Sequence, residues 1–146
     1  MKVIIGCDHA GFDLKEYIAE ELRNLNIDFE DIGTFSEDSV DYPDYGIKVA
    51  EGVSAGNFEK GILICGAGIG MSIAANKVKK IRAALCMTPE QAELSRQHND
   101  SNVLVMAGRL IGKETAKEIL NKWLNTGFEG GRHEKRINKI HDLTGI

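Results

Sequence analysis

Ile62-Leu63-Ile64-Cys65-Gly66-Ala67-Gly68-Ile69-Gly70-Met71 decides how this chain is read: a short run of aliphatic residues passes straight into glycines and then into a segment of helical period. An apolar run bounded in this way reads as a strand buried on both faces. The apolar spacing from Gly70 to Val78 predicts the helix that follows. Three further runs, Val3–Cys7, Ala83–Cys86 and Val103–Ala107, have the same character, whereas Ile27–Ile32 alternates and reads as a strand nearer an edge. Between them lie segments of helical period. Leu14, Tyr17, Ile18, Leu22 and Leu25 form one stripe, and Pro43–Ala55, Pro89–His98 and Gly112–Leu124 read the same way, two of them opening with proline. A last helix is expected near Glu129–Ile140. Strict alternation of strands and helices predicts an α/β fold, a doubly wound (Rossmann-like) parallel sheet of five strands with helices on both faces and a C-terminal helix.

With 146 residues, 42% of them hydrophobic, the chain is long enough for one core, and no linker, repeat or low-complexity tract divides it, so residues 1–146 are expected to form one domain. Eighteen Lys and Arg against 22 Asp and Glu leave a net charge of −4. No general positive field is present to hold a nucleic acid or an anionic membrane surface. The opening MKVIIGCDHAG is too short in apolar residues for a signal h-region or a membrane span. Cys7, Cys65 and Cys86 are odd in number and lack C-x-x-C spacing, which speaks against a disulfide framework or a zinc knuckle and for a reducing, cytoplasmic setting. No cofactor or metal is expected.

Ligands of open α/β sheets bind outside the carboxyl ends of the strands, which directs attention to Asp8-His9, the Cys65 loop and Arg109. Backbone N–H groups of Gly66–Gly70 can converge on a phosphate or a developing oxyanion, although the same glycines would serve a plain tight turn. The loop is G-x-G-x-G with Met71 where a dinucleotide fingerprint needs its third glycine, and Gly108–Glu114 is one residue short of a Walker A loop and lacks its hydroxyl residue. Cys65 abuts a loop suited to negative charge, where a thiol pKa can be lowered; a small apolar strand residue is the plainer reading. His98 closes a helix and could be no more than a cation on its dipole. Arg132 and Arg136, at i and i+4 after Gly130-Gly131, share a helix face that could fork onto one phosphate or simply be solvated. Together these groups suit proton transfer beside the carbonyl of a small phosphorylated metabolite.

The segments Gly6-Cys7-Asp8-His9-Ala10-Gly11, Asp41-Tyr42-Pro43-Asp44-Tyr45, Cys65–Lys77, Arg96-Gln97-His98-Asn99-Asp100 and Gly131-Arg132-His133, in this order over nearly the whole chain, closely resemble the ribose-5-phosphate isomerase B family, which also holds galactose- and allose-6-phosphate isomerases. The resemblance implies an aldose–ketose isomerase that interconverts ribose 5-phosphate and ribulose 5-phosphate through a cis-enediolate. It implies Cys65 as the base, His98 as the group that opens the furanose ring, and the backbone of Gly66, Ala67, Gly68, Ile69 and Gly70 as the holder of oxygen charge. Asp8, His9 and Asn99 match sugar-contacting positions, and Arg109, Arg132 and Arg136 match phosphate and substrate contacts. A homodimer, or a pair of dimers, is implied, with the site shared across the interface. Ala67 stands where the family commonly has Thr or Ser, which keeps the backbone donors and removes a side-chain donor. Six-carbon sugar phosphates are the nearest alternative substrates. Two alternatives of other classes are a non-catalytic metabolite-binding module, with Glu30 or Asp31 on a ribose, and a thiol-based redox sensor.

Overall fold

The computed structural model describes residues 1–146. Five strands, β1 (Lys2–Cys7), β2 (Asp28–Asp31), β3 (Lys60–Cys65), β4 (Ala83–Leu85) and β5 (Val103–Ala107), alternate with α1 (Phe12–Asn24), α2 (Tyr42–Ser54), α3 (Ile69–Ala75), α4 (Pro89–Asn99) and α5 (Lys113–Asn125). A final helix, α6, spans Arg132–Thr144. All pairings are parallel and the order is β2-β1-β3-β5-β4. The chain leaves β1 for β2 on one side and returns to place β3 on the other. The order therefore reverses between β1 and β3, where a crevice opens at the carboxyl edge.

Side chains alternate across the pleat and so divide the core in two. On one face Ile5, Ile62, Ile64, Leu104 and Met106 pack against α1, α4 and α5; on the other Ile4, Leu63, Cys65, Val103 and Val105 pack against α2 and α3. Trp123 of α5 is fully buried, and its indole N–H donates to Ser101 Oγ at 2.8 Å. Ser101 Oγ in turn lies 2.9 Å from Ser95 Oγ, and Ser95 donates to the Ala92 carbonyl. This buried relay satisfies every hydroxyl it contains and fastens the last turns of α4 to α5.

Two boundaries and the burial of one strand depart from the sequence reading. The α3 helix stops at Ala75, not Val78, because the Asn76 amide leaves the helical pattern to bond the backbone of Ala83 in both directions. The α6 helix begins at Arg132, not Glu129, because Gly130 and Gly131 both have positive φ and break the helical path. The β4 strand is only half-buried, not enclosed, since it lies at the edge of the sheet.

Lys15 is fully buried although charged. Burial opposes its charge, but ion pairs to Asp31 at 2.7 Å and Glu16 at 2.8 Å outweigh that and hold the ammonium above its ordinary pKa. Asp31 uses its other oxygen to accept the Gly33 N–H, so the end of β2 is tied both to α1 and to the loop after it.

Gly11 sits so close to β3 that a Cβ there would collide with the Ile64 backbone carbonyl. The obstacle is main chain inside a sheet and has little room to yield. Gly11→Ala is expected to cost about 1–3 kcal/mol, read as a lower urea midpoint followed by Trp123 fluorescence.

Candidate active site

The site groups fall into two clusters at opposite edges of the sheet. At the carboxyl edge, Cys65 ends β3 on the α2/α3 face, 5% exposed and packed among Met71 and its neighbours. Gly68 turns the chain into α3 with φ of 76°, a left-handed conformation that favours glycine, and a Cβ would also strike Leu85. None of the N–H groups from Gly66 to Gly70 is used by another protein group, whereas the carbonyls of Cys65 and Gly66 accept the N–H groups of Gly108 and Arg109. Five backbone donors in sequence are thus left for a ligand, on a loop clamped from below by the end of β5. Ala67 is exposed at the loop's crown.

Asp8 and His9 follow β1 at the same edge. The buried Asp8 carboxylate accepts the Gly11 N–H at 3.0 Å and caps a 3-10 turn over His9–Gly11. His9 Nδ1 accepts the Val40 N–H at 3.2 Å, which leaves Nε2 as the donor of the neutral ring. His9, Ala10, Asp13, Glu37 and Arg109 line a cavity of about 290 Å³. The Arg109 side chain runs beside Gly66, where a Cβ would meet its Cδ at 3.4 Å.

The second cluster is at the amino edge. His98 and Asn99 are the last residues of α4, just ahead of β5. Arg96 and Asp100 pair at 2.8 Å, and Arg82 donates to the carbonyls of Asn99 and Asp100, so the end of α4 is held from several sides. His98 Nε2 lies 3.3 Å from Glu129 Oε1, and its ring stacks on His133 with centroids 4.3 Å apart and planes 11° from parallel. The His133 imidazole is held below its ordinary pKa, first by burial and then by the charges of His98, Arg132 and Arg136, while Glu129 works the other way. Arg132 and Arg136 stand exposed on the first turns of α6, anchored through the buried Ile137. The chain's arginine ion pairs belong to Arg23, Arg82 and Arg96, so Arg109, Arg132 and Arg136 keep their charge free.

The structure therefore brings Asp8, His9, Cys65, Gly66–Gly70 and Arg109 together, and separately His98, Asn99, Arg132 and Arg136. It does not unite the two sets within one chain. Gly61 pairs with Val103 and Cys65 with Ala107, which puts the thiol about 13 Å along the strands from the level where β5 begins. His98 lies before that beginning. Sequence reading gave no role to Glu129 or His133; the G-G-R-H segment opening the last helix is the one signal that could have marked His133, and none marks Glu129. No helix is long and apolar enough to cross a membrane.

Comparison with known proteins yields close relatives. A family model described as Ribose/Galactose Isomerase matches residues 3–140. Ribose-5-phosphate isomerase B of Escherichia coli is 49% identical over 139 residues, covering 95% of this chain and 93% of the relative. A Clostridium thermocellum ribose-5-phosphate isomerase B structure superposes with a TM-score of 0.98 at 48% identity, covering 99% of this chain and 98% of that one. The Mycoplasma genitalium enzyme, solved with bound ribulose-5-phosphate, gives 0.94 at 38% identity, with 99% and 96% covered. With an α/β architecture, site segments and near-complete coverage all in agreement, the chain belongs to the ribose/galactose isomerase family.

Proposed function

We propose that this protein interconverts ribose 5-phosphate and ribulose 5-phosphate, residues 1–146 acting as one cytoplasmic isomerase unit, with each active site assembled from the carboxyl edge of one copy and the amino edge of another. The sheet geometry carries this reading. A pentose phosphate is too short to touch Cys65 and His98 of one chain at once, because the strands hold them at opposite edges. Exposed apolar side chains beside the Cys65 loop, Ile69 at 56%, Ile73 at 58% and Leu110 at 63%, support burial against a second copy. The free guanidinium groups suit a dianionic phosphate.

In this mechanism His98 moves the proton that opens the furanose, exposing the C1 carbonyl. The Cys65 thiolate takes the C2 proton, the electron pair forms the cis-enediolate, and the loop N–H groups hold the oxygen charge. Cys65 then returns the proton to C1 while the hydroxyl proton passes from O2 to O1, the C2 carbonyl forms, and the ketose leaves. Asp8, His9 and Asn99 contact the sugar, and Arg109, Arg132 and Arg136 hold the phosphate. Neither other thiol suits the part: burial pushes Cys7 up to about 12 and Cys86 up to about 11, and both lie under helices.

Four outcomes test the proposal. Cys65→Ala should lower kcat on ribose 5-phosphate by about 10³-fold or more and abolish deuterium entry from D2O, read by NMR; undiminished turnover would reject Cys65 as the base. Arg136→Ala should raise KM by about 10–100-fold with a smaller change in kcat, as expected when a non-reacting phosphate loses a charged contact. Co-expressed Cys65→Ala and His98→Ala chains should recover about a quarter of wild-type activity, because half the dimers are mixed and each carries one intact site. No recovery would reject the shared site. At pH 8, a thiol reagent should modify at most one equivalent in the native protein and three after unfolding, since Cys7 and Cys86 are shielded and protonated.

A further inference from the structure

Lys15 lies in α1 with its side chain fully buried, and its ammonium reaches from the helix to the end of β2, where it meets Asp31 Oδ2 at 2.7 Å. We propose that Lys15 and Asp31 are positioning residues for His9: they pin the loop between β2 and α2, and the far end of that loop holds the His9 ring in one tautomer for the substrate. The proposal rests on the substrate-contacting role given to His9 above.

The contacts from Lys15 to His9 are continuous. Asp31 gives its second oxygen, Oδ1, to the Gly33 N–H at 2.9 Å. The next groups close onto β1: Cys7 N–H donates to the Gly33 carbonyl at 2.6 Å, and Thr34 N–H donates to the Cys7 carbonyl at 2.8 Å. Between Thr34 and Asp41 the loop is then held by two hydrogen bonds, Asp38 N–H to Ser36 Oγ within an exposed turn and Val40 N–H to His9 Nδ1 at 3.2 Å. A backbone amide only donates, so Nδ1 has to accept and the neutral ring carries its proton on Nε2. The loop is thus hung from the Asp31 anchor at one end and from His9 at the other, just ahead of α2. It also carries Glu37 to the wall of the cavity that His9 shares with Arg109.

Stability alone is a poor account of this ion pair. Taking an ammonium and a carboxylate out of water costs about as much as their attraction returns, and apolar side chains of similar volume often do as well or better. What the pair supplies is direction. Lys15 Nζ is bounded by Asp31, by Glu16 at 2.8 Å, and by the Phe35 and Phe12 rings with centroids at 4.6 and 5.3 Å, so the ammonium has one place to stand. Phe35 belongs to the loop itself, two residues past Gly33, which gives the same cation a second hold on the same segment. Both Asp31 oxygens are committed, and turning the carboxylate away would leave the Gly33 N–H without its acceptor and the buried ammonium without its shorter ion pair.

Two variants of the full-length protein, Lys15→Met/Asp31→Leu and Asp31→Asn, each checked for fold by circular dichroism, test this role. The double variant replaces the pair with apolar groups, so a purely structural role is rescued in it, while Gly33 loses its acceptor and the anchor is gone. Asp31→Asn is the milder change and leaves one oxygen where Lys15 and Gly33 each need an acceptor. Long-range proton–nitrogen NMR correlation at about pH 8, with the His9 signals assigned by their loss in His9→Gln, reads the tautomer. Steady-state kinetics on ribose 5-phosphate separates KM from kcat. The wild type should show His9 as the Nε2–H form alone. Both variants should add the Nδ1–H form, with KM raised about 10-fold in the double variant and about 3-fold in Asp31→Asn, and with a smaller change in kcat. A wild-type ring protonated on Nδ1, or a folded double variant that keeps the Nε2–H form alone, would overturn the proposal; if the double variant does not fold, the same result in Asp31→Asn would. A changed tautomer with KM unmoved would overturn the link from His9 to substrate. A wild type that isomerises no sugar phosphate would overturn the functional reading instead, and the tautomer result then decides the positioning by itself.

Discussion

Parallel pairing of β3 with β5, Gly61 opposite Val103 through Cys65 opposite Ala107, sets where every other group in this molecule can act. Parallel strands send all their carboxyl ends to one edge, and the helices between them must return the chain to the other. Residues that close a strand and residues that close a returning helix are therefore separated by the length of the sheet. Cys65 ends a strand and His98 ends a helix, so no side-chain rotation within one copy brings them together. A second copy is thereby required for chemistry that needs both, and the exposed Ile69 and Ile73 next to the thiol loop are apolar surface available for such an approach.

Close backbone approach shapes the carboxyl edge. Gly11 lies against the Ile64 carbonyl, and Gly68 takes a left-handed turn beneath Leu85. Both glycines let the main chain come where a side chain would stand, and the result is a loop whose successive N–H groups face no protein partner. The same logic acts at the amino edge in side-chain form: Arg82, Arg96 and Asp100 lock the α4 terminus while leaving the His98 ring 39% open. Rigid supports around unsatisfied donors are what electrostatic stabilisation of a developing charge requires.

Charge distribution shows how little a net value says about a ligand. The chain carries −4 overall, yet Arg109, Arg132 and Arg136 are unpaired while Arg23, Arg82 and Arg96 are paired. An acidic protein can thus offer a small phosphate three free guanidinium groups without attracting polyanions in general.

The apolar runs and helical stripes made all five strands and six helices legible in the sequence, because burial on one or both faces leaves a period that local reading detects. The edge position of β2 showed in the alternation of Ile27–Ile32. The ends of α3 and α6 did not show, since they depend on the Asn76 amide finding Ala83 and on Gly130 and Gly131 both turning left-handed. Cys65, the glycine loop, Asp8-His9 and the arginine pair were marked by their place after strands or on one helix face. Tertiary structure alone decided the strand order, the burial of Lys15 against Asp31, the meeting of His98 with Glu129 and His133, and the separation of the two residue clusters at opposite edges of the sheet. The physical reason is sequence distance: periodicity and capping act over a few residues, whereas these features join segments tens of residues apart through packing that no local pattern encodes.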